Sequence, residues 1–510
     1  MRIGTLGLRF TFTVALLIVT QVAVAQNDAT ETNEATGPQL GNGIRNSWAN
    51  QTSIVVWTRT TRNAEMVTDG PQFKTVSKSE SQKLEKQIRA SGDDSRYLSS
   101  QLADGKTLDQ MLGACPGAAG QVRVSWHPTE DATALKSTGW KNTTADDDFT
   151  AQWKLTELLP GTEYSVVVEA RPGIDQPVSA TRKGRFKTSP AADKSASLKF
   201  CVTTCHDFER RDDGEKGHKI YPSMTAIQPD FVVHAGDIEY YDKPHPWAWT
   251  TELMRFKWSR IFSMPRNREF YSTHSTYFIK DDHDTLKNDS WPGQTYGNVT
   301  FEEGVRLFNL EQFPSHELRY QTVAWGRDVQ IWILEGRDYR SANNLPDGPD
   351  KSILGVAQKA WLKKTLRDST ATFKLVFSPT PIVGPDRAKK KDNHANEIFA
   401  VEGQELREFF GTVEGLIVFC GDRHWQYASV DADTGVWEFG CGPGSEKHQL
   451  GWKKGDVRPV HRFLRVAGGF LSGEVTHDAA RKAKLTLHHH AVDGTAKSTF
   501  RFPAEQQSAK

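Results

Sequence analysis

Leu198-Lys199-Phe200-Cys201-Val202-Thr203 runs directly into Thr204-Cys205-His206-Asp207: a stretch that reads as a buried strand ending on metal-binding side chains. The same arrangement returns three times. Phe231 to His234 leads to Gly236-Asp237-Ile238-Glu239-Tyr240, Tyr277 to Ile279 to Asp281-Asp282-His283-Asp284, and Leu416 to Phe419 to Gly421-Asp422-Arg423-His424. A parallel sheet gathers residues at the carboxyl ends of its strands, so the four segments are expected to converge on one site. Together they offer a thiolate, a phenolate, carboxylates and imidazoles, a set suited to two metals of different hardness.

Working outward, 189–197 is a linker of small residues, and after it strands and helical stretches alternate, the pattern of a layered α/β architecture. Helices are expected over Phe301 to Gln312 and Leu354 to Leu366, and further strands over Val329 to Leu334, Phe373 to Ser378, Lys484 to His490 and Lys497 to Phe502. Residues 191–505 are assigned to this domain. Upstream, 38–190 reads as an all-β sandwich, with strands at Ser53 to Thr58, Gln121 to Trp126 and Tyr164 to Glu169. Leu158 to Tyr164 resembles the turn before a late strand of a fibronectin type III domain. An insertion at 64–119 separates the first two strands, and its charged middle, Ser79 to Ala90, has helical character. Residues 26–37 are polar and expected to be disordered.

The first 25 residues read as a Sec-type signal peptide. Arg2 and Arg9 give a basic start, Phe10 to Val22 is mostly apolar, and Ala23-Val24-Ala25 is a small-x-small cleavage site. A periplasmic or secreted protein is expected, without a transmembrane segment. A formal net charge of +1 supplies no global field for nucleic acid or acidic membranes. The basic run Arg387-Ala388-Lys389-Lys390-Lys391 is expected to be a solvated loop. Five cysteines, an odd number, leave at least one thiol unpaired or liganded. Cys201 and Cys205, four residues apart in extended chain, are too distant to bridge each other.

Gly236 lets the backbone turn sharply before Asp237. Tyr240 as a ligand requires a phenolate, which a strongly Lewis-acidic ion favours, and Cys205 would bind as a thiolate. With Asp237 and His424 these suit Fe(III), zinc being the competitor. Either residue alone would more simply be a packed side chain; Gly-Asp-x-x-Tyr and Gly-Asp-x-His in one chain favour the metal. Asp282 and Asp422 remain for a second, harder ion such as Ca²⁺, Mg²⁺ or Mn²⁺, with Asp237 bridging. Such a pair activates water as hydroxide and neutralises the oxygens of an in-line displacement at phosphorus. His283 is the candidate proton donor to the phosphoryl group or leaving oxygen, with Asp284 orienting it.

These motifs resemble those of the alkaline phosphatase D (PhoD) family of the metallophosphoesterase superfamily. In that family the first Asp of the superfamily pattern becomes Cys, a Tyr follows Gly-Asp, and the later motifs read Asp-Asp-His-Asp/Glu and Gly-Asp-x-His. This chain carries all of these changes, at Cys205, Tyr240, Asp282 and Asp422. Leu334 to Arg340 resembles the family's Leu-Asp-Thr-Arg-x-Tyr-Arg segment, and Leu354-Gly355, Gln358 and Trp361-Leu362 its Leu-Gly-x-x-Gln-x-x-Trp-Leu helix. The resemblance implies a four-layer αββα calcineurin-like catalytic domain behind the β-sandwich. It implies Fe³⁺ on Cys205, Asp237, Tyr240 and His424, Ca²⁺ on Asp237, Asp282 and Asp422, with Zn²⁺, Mg²⁺ or Mn²⁺ as substitutes, and hydrolysis of phosphate mono- and diesters.

The chain departs from the family pattern in places. Leu-Asp-Thr-Arg is here Leu-Glu-Gly-Arg, a Gln is replaced by His206, and the last acid of the third motif is Asp284 rather than Glu. His206 is thereby a candidate contact for phosphate. Arg337 and Arg340 are the cationic candidates, Arg337 in the catalytic set and Arg340 beside substrate, since guanidinium matches phosphate oxygens. Small organic phosphate esters are the expected substrates and a monomer the expected state. A polymer-specific phosphodiesterase, a zinc hydrolase of carbon esters and a metal-bearing binding module at the cell surface are the competing classes; retention of every expected ligand argues against the last.

Overall fold

The computed structural model describes residues 37–93 and 95–503, together with Met1. The expected signal peptide (1–25) and all of the polar segment 26–37 except Gly37 lie outside the described residues, Met1 apart.

The apolar run before Cys205 forms the strand Leu198–Thr203 and pairs in parallel with Phe231–Ala235, which pairs in parallel with Ser275–Ile279. These three form the centre of a nine-stranded sheet. A seven-stranded sheet has its own parallel centre, Val329–Ile333, Phe373–Ser378, Leu416–Cys420 and Trp437–Cys441. Side chains alternate across each strand, so every strand feeds two layers. Leu198, Phe200 and Val202 point to the second sheet, and Cys201, Val232 and Phe278 point to helices. Between the sheets Phe200 stacks on Phe231 at 5.3 Å and meets Phe419 edge-on at 5.8 Å.

Helices Ile220–Ile227, Thr251–Ser263 and Pro265–Thr273 cover the outer face of the larger sheet through Met224, Trp258, Phe262 and Phe270. Gly355–Asp368 and Ala400–Gly411 cover the outer face of the smaller one through Leu362, Leu366, Leu406 and Phe410. Both outer faces are thus helical and both inner faces are sheet. These are the layers expected from the resemblance.

The upstream β region, expected as a sandwich over 38–190, is divided between two sheets. Ile44–Ser47 pairs in parallel with Ser275–Ile279, so Ile44–Ser47, Ile54–Arg59 and Thr150–Leu155 extend the nine-stranded sheet. Gly120–Pro128, Glu163–Arg171 and Ala180–Lys187 belong to a separate five-stranded sheet. Ile54, Val56 and Leu155 share one buried cluster with Val124, Val166 and Phe186, so the two sheets pack on each other here. The sequence signal was correct for each strand but silent about partners, because period-2 alternation fixes a buried face and not a neighbour.

The insertion at 64–119 carries the helix Lys78–Ser91, begun by a capping box between Ser77 and Glu80. Its Ile88 and Tyr97 join Trp247 and Trp249 in one cluster. Gln101 clamps the Trp247 backbone, accepting from its N–H at 2.7 Å and donating to its carbonyl at 3.1 Å. The insertion thereby braces the loop that follows Tyr240.

Phe200 is fully buried where the two sheets meet, and truncating it leaves a cavity that neither rigid sheet can fill. Phe200→Ala is expected to cost about 3–5 kcal/mol in chemical denaturation at fixed metal content.

Candidate metal centre

Each of the four motifs begins where a parallel strand ends, and the backbone turns abruptly there. Cys205, Asp237 and Asp422 all take left-handed φ values, 52°, 55° and 59°. Non-glycine residues rarely do so, and strain of this kind gathers at functional sites. The turns are interlocked: Cys205 N–H donates to Gly236 O and His206 N–H to Asp237 O, each at 3.1 Å. Gly421 lies where the two sheets touch. A Cβ there would stand 2.0 Å from the Ala235 carbonyl oxygen and 2.8 Å from that of Pro379.

The first four expected ligands converge. Tyr240 Oη donates to Asp237 Oδ2 at 3.0 Å and lies 3.2 Å from His424 Nε2; Cys205 Sγ donates to Asp237 Oδ2 at 3.5 Å. Donors held about 2.0–2.3 Å from one ion stand about 3–3.5 Å from each other, so this spacing admits one ion shared by all four. Cys205, Asp237 and Tyr240 are buried; His424 is half-buried and closes the set on the solvent side. Burial, then Asp237, push the Cys205 thiol and the Tyr240 phenol well above their ordinary pKa values. A bound cation reverses that preference.

Carboxylates crowd the same place. Burial first, then Asp282, Asp281 and Asp284, raise Asp237 well above the usual carboxylate range. Among the described residues Asp237 Oδ1 and Asp281 Oδ2 are buried without a hydrogen-bond partner. Buried carboxylate oxygens are costly without a cation or donor, so a hard ion fits here. The partition differs from the expected set of Asp237, Asp282 and Asp422. It is Asp281 whose carboxylate stands within 4.8 Å of Asp237 and Asp422, whereas Asp282 groups with Asp237 and His283, and again with Asp289 and Asp392. Both acids follow the same strand, and each stands in a group with Asp237 that could hold an ion.

Other expectations need correction. His283 Nδ1 lies 2.6 Å from Asp242 Oδ1, so Asp242 orients the ring. Asp284 instead accepts from the backbone N–H of Ile238, Glu239 and Asp281, at 2.8, 3.1 and 3.0 Å. Burial pushes Asp284 up to about 7, against those three bonds. Although Asp242 is buried, His283 holds its carboxyl well below the usual range. An ionised Asp242 accepts from Nδ1–H and leaves His283 Nε2 to face the site.

His206 does not reach the site either. Its Nδ1 lies 2.9 Å from Ile238 O, its Nε2 bonds the Tyr221 hydroxyl, and its ring stacks on His218 at 4.4 Å. Burial lowers its pKa to about 4, so it is a neutral packing residue behind the Cys205 turn. Arg337 is fully buried and braces carboxylates: its Nε donates to Asp281 Oδ1 at 2.5 Å and a terminal nitrogen lies 3.4 Å from Asp392 Oδ2. Arg340 donates to Asn343 Oδ1 at 2.6 Å and to Asp392 O at 3.0 Å. Neither guanidinium meets solvent: Arg337 orders acids, and Arg340 braces the Asn343 side chain and the Asp392 backbone. Glu335, where the family pattern has Asp, forms a buried pair with Lys280.

The basic run is divided. Lys389 and Lys391 are exposed, whereas Lys390 turns inward, bonding Asp289 and lying 3.2 Å from Asp392 Oδ2. A protein ammonium therefore already serves the Asp282–Asp289–Asp392 group. The three histidines at 488–490 split between faces as alternation requires: His488 bonds Thr499, and His489 is buried against Ser498 and Tyr427 O.

A sequence model of the PhoD-like phosphatases matches residues 200–461. The chain belongs to the PhoD-like phosphatase family. Alkaline phosphatase D of Bacillus subtilis (strain 168) is 22% identical over 298 residues, 48% of this chain and 49% of that protein. The chain thus matches about half the length of that relative. Among solved structures, that of PhoD superposes with a TM-score of 0.65 at 14% identity, covering 92% of this chain and 93% of the other. Purple acid phosphatase PPD1 from yellow lupin (Lupinus luteus) seeds gives 0.59 at 13% identity, covering 90% and 73%. At such identities the superpositions show a shared fold. In this PhoD-like chain the family model spans all four motifs.

Because Gly421 leaves no room for a methyl group, Gly421→Ala should displace Asp422 from the cluster. Elemental analysis of the purified variant is expected to show loss of metal, with a fall in melting temperature as the sheets part.

Proposed function

We propose that this chain is an exported, metal-dependent phosphoesterase acting on small phosphate mono- and diesters. The observation that carries the reading is the buried donor set Cys205, Asp237, Tyr240 and His424, brought together from three separate strand ends beside unpaired carboxylate oxygens. Membership of the PhoD-like family supports phosphoryl chemistry. The basic, apolar and small-residue sequence of 1–25 supports export, and among the described residues no helix is long and apolar enough to cross a membrane.

Cys205, Asp237, Tyr240 and His424 would hold a trivalent iron, the ion that best fits a thiolate and a phenolate together. Asp237, Asp281 and Asp422, with Asp282 alongside, would hold a harder ion such as calcium. When bound, such ions supply Lewis acidity and lower the pKa of water enough for attack at phosphorus. The chain's own part is positional. Asp237 sits between both donor groups and ties them together. His283, held by Asp242 through Nδ1–H, turns Nε2 toward the site, where the doubly protonated ring would give its Nε2 proton to the departing oxygen. Arg337 and Lys390 keep the surrounding acids ionised and in place.

Phenolate and thiolate bound to Fe(III) give a charge-transfer colour. The purified exported form should be coloured and contain iron, and the colour should be lost or shifted in Cys205→Ala and Tyr240→Phe. Strong chelators should abolish ester hydrolysis. A colourless protein loaded with zinc would overturn the iron assignment.

Asp242→Asn removes the acceptor that fixes the His283 ring. It should lower kcat by roughly a hundred-fold, the usual weight of one proton-transfer group, with metal content unchanged and KM altered little.

A further inference from the structure

Tyr240 presents its hydroxyl to the metal donors and its ring to a ring of basic residues. His283 lies on it at 4.2 Å between ring centroids and His448 at 5.0 Å. Arg210 places its guanidinium carbon 5.7 Å from the Tyr240 centroid, and Lys243 its ammonium 5.9 Å away. Both are partly open to solvent, with side chains 28% and 35% exposed, whereas Arg337 and Arg340 are sealed inside. The solvent-side cations beside Tyr240 therefore come from the loops after Cys205 and Tyr240.

Both loops are held. Asp207, itself buried, accepts from the Arg210 backbone N–H at 2.7 Å and from its guanidinium at 3.0 Å. Arg210 Nη1 also bonds His448 Nε2, and Ser445 Oγ donates to Arg210 O at 2.5 Å. Gly444 N–H donates to Thr204 O and Cys205 O, joining this segment to the Cys205 turn. On the other side Lys257, buried in the helix Thr251–Ser263, bonds the carbonyls of Tyr240 and Lys243. Yet the cationic ends retain free capacity. Among the described residues Arg210 Nη2 makes no hydrogen bond, and the nearest acid to Lys243 Nζ is Asp242 Oδ2, at 4.0 Å. Asp242 is already engaged with His283 and with Asn288 N–H.

A site floored by acids repels an incoming phosphate unless cations face it from the open side. Two donors with spare hydrogens on that side, Arg210 held in place by Asp207 and His448, match phosphoryl oxygens that the metals would leave free. A phosphate monoester carries a second negative charge there, and a diester carries a substituent instead. We propose that Arg210 and Lys243 form the phosphate clamp of this site and bias it toward phosphomonoester dianions over diesters. The proposal rests on the phosphoesterase reading above.

The test uses the full-length, metal-loaded protein and the variants Lys243→Gln, Arg210→Gln and Arg210→Lys. For each, kcat/KM is measured with p-nitrophenyl phosphate and with bis(p-nitrophenyl) phosphate, beside inhibition by inorganic phosphate and metal content. Loss of one charge-assisted bond should lower the monoester value about ten-fold or more, several times more than the diester value, and weaken phosphate inhibition by a similar factor. Arg210→Lys should recover part of the loss. Lys243 has few contacts, so its variant reports on the clamp even where Arg210→Gln folds poorly. Equal losses for both esters, or unchanged phosphate inhibition, would overturn the clamp and leave the phosphoesterase reading standing. A metal-loaded wild type that hydrolyses neither ester overturns both.

Discussion

Crowded carboxylates, buried at the seam between two sheets, are the constraint on which the rest of the structure depends. Asp237, Asp281, Asp282, Asp284 and Asp392 are all nearly inaccessible to water. Taking so many acids out of water is unfavourable unless each finds a donor or a cation. The molecule meets this in three ways. Asp284 receives three backbone N–H groups. Arg337 and Lys390 lie among Asp281, Asp289 and Asp392 as permanent protein cations. What stays uncompensated is Asp237 with the free oxygen of Asp281, and this is the place left to ions from outside.

The fold serves this arrangement. Two parallel cores point their carboxyl ends at one seam, so four short turns supply ligands without long flexible loops. The left-handed turns at Cys205, Asp237 and Asp422 concentrate backbone strain at the ligands themselves. The stiff inter-sheet core around Phe200, Phe377 and Phe419 gives those turns a rigid base.

Much of this was legible in the chain. Strands buried on both faces are short continuous apolar runs, and Leu198–Thr203 and Phe373–Ser378 have the bounds their composition implies. The donors Cys205, Asp237, Tyr240 and His424 were legible because each follows such a run. Residues whose role depends on direction were not. Asp242, Arg210 and Lys243 look in sequence like ordinary loop charges, and only the packing of two loops turns Arg210 and Lys243 toward Tyr240 and Asp242 toward His283. His206 looks like a ligand beside Cys205, yet an adjacent residue at a strand end points the other way, into the cluster with His218 and Tyr221. Arg337 and Arg340 carry the right group for phosphate, but sequence does not reveal that they are sealed from water.

The order of strands in the larger sheet differs from their order of synthesis. Cys201 is opposite Ser472, and Asn46 is opposite Ser275. An early strand therefore waits for partners made much later, and one edge of the sheet is formed by Ala496–Phe502. Pairings so distant along the chain make folding slow and late. The strand Leu198–Thr203 gains its second neighbour only from Gly469–His477, so the centre of this sheet stays open on one side until that segment has been made.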